Sequence, residues 1–270
     1  MNNAPPWSAT VAWFIFTYLA SWPMAAVVVH VVAQMQGTDI RAAITSGDAT
    51  TGVAVYFGIH WTIAAWAGLQ FFDEGTCGTK VSLGFRKVDI RWLLAAMAAT
   101  VGLSVAISGT IYALGLEDYG VLARLRERFL SAEGVRWFVL ASVLTIAPAL
   151  GEEIFFRGFV LQSLAVRCGP PVAVFGSSLM FAVSHFDPLQ STLTFFLGMV
   201  IGWAVIRSGS LWTGIAAHAA NNAFAAVLVS SRALISSAVL IASGLALFAV
   251  GAGFIWSMIS RRPQTLQNKP

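Results

Sequence analysis

The sequence predicts an all-α polytopic membrane protein, a bundle of about eight transmembrane helices. Of its 270 residues 57% are hydrophobic and only 10% are charged. A soluble domain carries about 25% charged residues, so this chain could not cover a water-facing surface. The 10 Trp, 19 Phe and 24 Gly agree, because membrane helices place aromatic residues at the interfaces and small residues at close contacts. Disordered, collagen-like and nucleic-acid-binding classes are excluded.

Eight apolar stretches are candidates for membrane spans, each of which needs about 20 residues. The fifth and sixth are short, and the connection between them is the tetrapeptide at 185–188. The predicted spans are roughly Val11–Met35, Gly52–Phe72, Trp92–Gly115, Trp137–Leu164, Pro170–His185, Leu189–Ile206, Leu211–Ser230 and Ala233–Ile259.

Between the third and fourth spans, residues 121–130 place apolar side chains at helical spacing. The charged residues Arg124, Arg126, Glu127 and Arg128 lie largely between them. This pattern favours a short amphipathic helix in the membrane interface. An ordinary solvated helix is the alternative.

The fourth span carries three charged side chains, Glu152, Glu153 and Arg157. Each charge at mid-membrane costs ~2.5–3.5 kcal/mol on insertion scales, so all three must face a protein interior or a water-filled cavity. Glu153 and Arg157 share one helix face and can pair. Glu152 points about 100° away and is left as a free carboxylate, which suits a general base. Pro148, four residues earlier, leaves one backbone carbonyl to be satisfied by water or a side chain.

Two later spans carry histidines. His185 ends the fifth span, and His218 lies four residues before Asn222 in the seventh. His185 can accept a proton or orient a water, whereas His218 and Asn222 offer N–H donors to a developing oxyanion. Each residue alone is more often a helix–helix hydrogen-bonding group. Their presence together with Glu152 predicts water activation and hydrolysis of a peptide bond within or beside the bilayer.

Other protease chemistries lack their residues. The sequence contains no His-Glu-x-x-His, no Gly-x-Ser-Gly and no predicted span with two aspartates, so zincin, serine and aspartyl mechanisms are not supported. Two functions of other classes stay open. The same residues could form the relay of a proton-coupled transporter or channel, or they could belong to a non-catalytic immunity scaffold.

Three motifs, in this order on successive apolar segments, resemble the CPBP family of intramembrane proteases. That family comprises the CAAX prenyl proteases of the Rce1 type and the bacteriocin-processing and self-immunity proteins called ABI. The resemblance covers about residues 137–226. Its motifs are Glu152-Glu153-x-x-x-Arg157, Phe181-x-x-x-His185 and His218-x-x-x-Asn222.

The resemblance implies roles for these residues. Glu152 is the expected catalytic base, and His185 is expected to act with it on the water. His218 and Asn222 are expected to form the oxyanion site, while Glu153, Arg157 and Phe181 support the arrangement. The implied substrate is a membrane-associated protein or a peptide precursor in the lipid bilayer, and no nucleic acid is involved.

The resemblance leaves the cofactor open, because members have been described both as metalloproteases and as metal-free glutamate proteases. Glu152, His185 and His218 would supply one oxygen and two nitrogen ligands to Zn²⁺, with an open fourth position. No two of them share one helix at close spacing. The sequence therefore does not fix a metal site. On the resemblance we expect no cofactor, with Zn²⁺ as the alternative.

The chain divides into three parts on these grounds. Residues 1–136 are predicted N-terminal transmembrane helices with the interfacial helix, residues 137–230 the CPBP-like catalytic core, and residues 231–270 the last transmembrane helix with a basic tail. Arg261, Arg262 and Lys269 in that tail favour cytoplasmic termini. The expected location is a bacterial inner (plasma) membrane, crossed several times.

Overall fold

A computed structural model describes residues 7–45, 48–73, 82–230 and 235–260. Within these ranges the secondary structure is helical, with no strand, which confirms the all-α prediction. The elements are α1 (Trp7–Gln36), α2 (Ile40–Thr45), α3 (Asp48–Asp73), α4 (Ile90–Ala113), α5 (Gly120–Ser131), α6 (Gly134–Glu152), a π-helical segment (Glu153–Val160), α7 (Leu161–Cys168), α8 (Pro170–Val183), α9 (Pro188–Ser208), α10 (Leu211–Ser230) and α11 (Ser237–Ser260).

Six helices among the described residues are long and apolar enough to cross a membrane. They correspond to the first, second, third, fourth, sixth and eighth predicted spans. The fifth is realised as α8, which has only 14 residues. The seventh is α10, where His218, Asn221 and Asn222 reduce the apolar character. The protein is an integral, multi-pass membrane protein, and the predicted count of eight is approximate. The junction between the last two predicted spans, at 231–232, lies outside the described residues.

Helices α4 and α11 pack backbone against backbone through small residues. A Cβ on Gly244 would overlap the backbone of Ala106, and a Cβ on Gly102 would overlap that of Phe248. Gly251 repeats this arrangement further along α11. Small residues at a membrane interface let two backbones approach closely and gain dispersion energy.

A second close contact joins α3 to the end of α6. A Cβ on Gly151 would overlap the backbone of Gly58, and a Cβ on Gly58 would lie 2.7 Å from the carbonyl oxygen of Ala147. Because Glu152 follows Gly151 directly, α3 is packed immediately beside the first glutamate of the site.

An aromatic cluster surrounds the π-helical segment. The side chains of Phe155 and Phe156 are fully buried. The Trp61 ring lies 4.7 Å from the first and 5.2 Å from the second, centroid to centroid. Phe14 of α1 packs on Phe156 at 6.0 Å. The segment that carries Glu153 and Arg157 is thus in the centre of the core.

The predicted amphipathic helix is present as α5. Its apolar side is used inside the protein, where Phe129 is buried with Leu140 of α6 and Ala226 of α10. On its polar side, the Arg128 Nη2 atom donates to the carbonyl oxygen of Ile44 at 2.7 Å. The helix therefore lies against α6 and α10, the two helices that frame the polar residues of the core.

Asp187 links the start of α5 to the start of α9. Its carboxylate accepts hydrogen bonds from the backbone N–H groups of Gln190 at 2.9 Å and Val121 at 3.0 Å. Gly120 adopts φ +65°, and a Cβ there would overlap the Asp187 carboxylate. One side chain thus caps two helix N-termini, where a negative charge is favourable.

Candidate active site

The chain changes from α- to π-helical geometry at Glu153. Short π-helical segments are frequent at functional sites. The side chains of Glu153 and Arg157 are fully buried, and Arg157 Nη1 donates to Glu153 Oε1 at 2.8 Å. The structure therefore contains the ion pair that the i,i+4 spacing predicts. Removal of either partner would leave an uncompensated charge in the core, which is strongly destabilising.

His218 stands between the two glutamates. Its Nδ1 atom lies 2.9 Å from Glu153 Oε1. Since an ionised carboxylate can only accept, this contact assigns the proton to Nδ1. The Nε2 atom of His218 lies 3.8 Å from Glu152 Oε2, which is too long for a direct hydrogen bond. One of the two ring nitrogens is thus engaged by Glu153, and only Nε2 faces Glu152.

The adjacent carboxylates differ in environment. The Glu153 side chain has no exposed surface and is held by Arg157 and His218, whereas 15% of the Glu152 side chain is accessible. The sequence predicts this separation, with Glu152 as the carboxylate outside the ion pair. Two neighbouring acids in unlike environments are the usual basis for dividing structural and chemical roles.

His185 lies just beyond α8, which ends at Val183, and not within the helix as predicted. Its Nδ1 atom is 2.8 Å from the carbonyl oxygen of Phe181. Because a carbonyl accepts, Nδ1 is the donor and Nε2 is left for a water or a proton. The rings of His185 and His218 both contact Phe181, so the fifth and seventh predicted spans bring their histidines to the same phenylalanine.

Phe181 is the apolar centre of this group. Its ring packs edge-on against the rings of His185 at 4.9 Å and His218 at 5.8 Å, between centroids. The guanidinium carbon of Arg157 lies 4.4 Å from the centroid of the Phe181 ring, which is a cation–π contact. Phe181 thereby fixes the spacing between the two imidazoles and the buried ion pair.

Asn222 is used differently from the two histidines. Its Nδ2 atom donates to the carbonyl oxygen of Leu144 at 3.2 Å. In a regular helix that carbonyl would accept from the backbone N–H of residue 148, but Pro148 has none. The carbonyl that the sequence predicts to be unsatisfied is therefore satisfied by Asn222. Asn221 in turn donates from Nδ2 to Asn222 Oδ1 at 3.2 Å.

Two glycines belong to the site, and sequence reasoning missed both. A Cβ on Gly214 would lie 2.7 Å from Glu153 Oε2, and a Cβ on Gly198 would lie 3.1 Å from Arg157 Nη2. Gly214 precedes His218 by four residues and so shares its helix face. That spacing was the available signal, because α10 can approach Glu153 only where it has no side chain.

The described residues include no three His, Cys, Asp or Glu side chains grouped closely enough to hold a metal ion. Glu152, His185 and His218 would therefore have to approach one another more closely before they could share a zinc ion.

Comparison with known proteins agrees with the motifs. Residues 134–224, which include all of the predicted site residues, match the family described as Type II CAAX prenyl endopeptidase Rce1-like. The chain is also similar to the uncharacterized protein YyaK of Bacillus subtilis (strain 168), with 32% identity over 110 residues. That match covers 35% of this chain and 36% of the relative, so it spans about a third of each. No solved structure matches the chain.

Proposed function

We propose that this chain, which matches the Rce1-like peptidases over residues 134–224, is an intramembrane endopeptidase that activates water with Glu152. It hydrolyses a peptide bond of a membrane-associated protein or peptide precursor. The observation that supports this is the unlike pair of carboxylates. Glu153 is sealed in the core by Arg157 and His218, while Glu152 is partly accessible and faces the Nε2 atom of His218 at 3.8 Å.

The first step is attack by water. Glu152 takes one proton of a water that Nε2 of His185 helps to orient. The oxygen of that water bonds to the substrate carbonyl carbon, and the electron pair of the carbonyl double bond moves to its oxygen. A tetrahedral oxyanion results, with one proton now on Glu152.

The second step uses His218. The separation of 3.8 Å between Glu152 Oε2 and His218 Nε2 allows the proton to pass between them with a small side-chain movement. Glu153, on the opposite ring nitrogen, stabilises the imidazolium that forms, as a carboxylate does in a Ser-His-Asp triad. The Nε2–H group and an N–H of Asn222 then donate to the oxyanion. When the oxyanion collapses and the C–N bond breaks, His218 protonates the leaving amine.

Zinc remains the alternative means of water activation. It would use the Nε2 atoms of His185 and His218 together with Glu152, since each histidine already donates its Nδ1–H to another acceptor. Activity of the purified protein before and after dialysis against a chelator separates the two mechanisms. Unchanged activity supports the metal-free proposal, and loss that added Zn²⁺ restores contradicts it.

The test compares membrane and secreted peptides from bacterial cells that express the wild type or Glu152→Gln. We expect peptides that appear only with the wild type, because removal of a general base lowers the rate by about 10²–10⁴-fold. Glu127→Gln is the matched control, since that glutamate is exposed on α5. Identical peptides from wild type and Glu152→Gln would contradict the proposal. Proton flux without cleavage would favour the transporter, and a partner phenotype that survives Glu152→Gln would favour the scaffold.

The cleavage site found in this way supplies the kinetic probe. An internally quenched peptide that spans it is incubated with purified protein in vesicles of phosphatidylethanolamine and phosphatidylglycerol. This probe allows kcat and KM to be measured separately for each variant below. The expected setting, a bacterial inner membrane, is part of the proposal.

A further inference from the structure

Pro148 lies one helical turn before Glu152 in α6. It nevertheless determines which partner the Asn222 amide has. A backbone N–H at position 148 would bond to the Leu144 carbonyl and complete the α6 ladder. Proline supplies no such donor. The carbonyl instead accepts from Asn222 Nδ2 at 3.2 Å.

The other end of the same amide is fixed as well. Asn222 Oδ1 accepts from Asn221 Nδ2 at 3.2 Å. With the oxygen held by Asn221 and one N–H held by Leu144, the amide cannot turn over without losing both bonds. A primary amide has two N–H groups, so one donor is left over after these contacts.

We infer that Pro148 is a positioning residue for the reaction. By leaving the Leu144 carbonyl open, it anchors the Asn222 amide in the orientation that presents the second N–H to the oxyanion. This inference rests on the proposed function, because it specifies how one of the two oxyanion donors is held. Preorganised donors are effective because they need no rotation at the moment of reaction.

The substitution Pro148→Ala distinguishes a positioning role from a purely structural one. Proline inside a helix is unfavourable, so alanine should stabilise α6 and leave catalysis unchanged if the Asn222 bond is only interhelical glue. If Asn222 is a positioned donor, alanine supplies the competing N–H and releases the amide. We then expect kcat to fall about 10- to 100-fold with KM unchanged.

A double-variant cycle sharpens this test. Asn222→Ala should lower kcat by about 10²–10³-fold, and Pro148→Ala should add nothing in that background because the amide is already absent. Pro23→Ala is the matched control, since Pro23 is also inside a helix, α1. Independent, multiplying effects of Pro148→Ala and Asn222→Ala would overturn the inference, as would an unchanged kcat in Pro148→Ala.

A second measurement does not depend on activity. The chain has five asparagines, so ¹⁵N-asparagine labelling gives a small set of side-chain amide signals. The Asn222 pair is identified as the one that Asn222→Ala removes. We expect Pro148→Ala to shift this pair and Pro23→Ala to leave it unchanged. An unshifted pair in Pro148→Ala overturns the anchoring step, whereas absence of cleavage by the wild type contradicts the proposed function and leaves the amide result to stand alone.

Discussion

The contact between α4 and α11 and the contact of α10 with the π-helical segment are both close helix approaches made possible by glycine. At α4–α11 the glycine admits a neighbouring backbone, with Gly244 against Ala106. At the π-helical segment, Gly214 admits the Glu153 carboxylate. In lipid, close packing drives association directly, whereas a buried charge must have its partner. The first contact contributes packing energy and so supports stability. The second lets α10 come close enough to hold the buried ionisable groups in place.

The largest expected effect comes from breaking the buried ion pair. Glu153→Leu leaves Arg157 without its carboxylate and His218 without its Nδ1 acceptor, so we expect a loss of about 3–5 kcal/mol in the free energy of unfolding. Denaturation in mixed detergent micelles measures it. The double variant Glu153→Leu with Arg157→Met should recover much of that stability while staying inactive. Equal stability of the single and double variants would contradict the assigned role of the pair.

Disrupting the other contact should affect stability alone. Gly244→Ala forces α11 away from α4, at a cost of about 1–3 kcal/mol, with unchanged kcat per folded molecule. Gly253→Ala on the same helix is the control, because a Cβ there has nothing within 4 Å. It should raise helix stability by about 0.5–1 kcal/mol. A selective fall of kcat in Gly244→Ala would show that the two regions are coupled.

A smaller effect, on rate, is expected from Gly214→Ala. The new Cβ would lie 2.7 Å from Glu153 Oε2 and 2.8 Å from Val205 Cγ2, so either α10 or the Glu153 carboxylate has to shift, and both shifts move His218 relative to Glu153. We expect kcat to fall about tenfold. Gly202→Ala is the control, since its Cβ would make an ordinary contact of 3.4 Å with Val174. Similar kcat values for both variants would mean that Glu153 does not set the position of His218.

The smallest effect concerns the connection between α8 and α9. Partial burial raises the pKa of Asp187, but backbone N–H bonds from Gln190, Val121 and Leu189 outweigh it and lower that pKa below its ordinary value. The carboxylate therefore stabilises the fold above the unfolded-state pKa of about 3.9, and this contribution is lost as pH falls through the folded-state pKa.

Unfolding measured from pH 7 to pH 3 tests this sign. Asp187→Asn should lower stability at pH 7 by about 0.5–1 kcal/mol and flatten the decline toward acid. Asp118→Asn is the control, because the Asp118 side chain is 84% exposed. If stability falls equally steeply toward acid in the wild type and in Asp187→Asn, the carboxylate does not cap the two helices as described.

The sequence alone was sufficient to predict features that are set by residues close together in one helix. Apolar length predicted the helices, and four-residue spacing predicted that Glu153 would reach Arg157 and leave Glu152 outside the pair. The absence of an N–H in Pro148 also predicted an open carbonyl. Each of these depends on geometry within one helix, which the chain carries in its own periodicity.

What could not be predicted depends on how separate helices meet. Nothing in the pattern of α6 indicated π-helical geometry from Glu153, because that geometry reflects how the surrounding helices pack around the segment. The choice of His218 to bond Glu153 through Nδ1 depends on the approach of α10, which Gly214 permits. The donor to the Leu144 carbonyl likewise could not be predicted, because it depends on how α6 and α10 are offset along their axes.

The contact between Gly58 and Gly151 fixes more than a helix pair. Because the main chains of α3 and α6 touch at the residue before Glu152, no flexible side chain separates the two helices there that could absorb a displacement. A Cβ at Gly58 would push the end of α6 away from α3, because it would lie 2.7 Å from the carbonyl oxygen of Ala147. The carboxylate of Glu152 would then shift relative to His218, so a change on α3 would reach a residue that it does not touch.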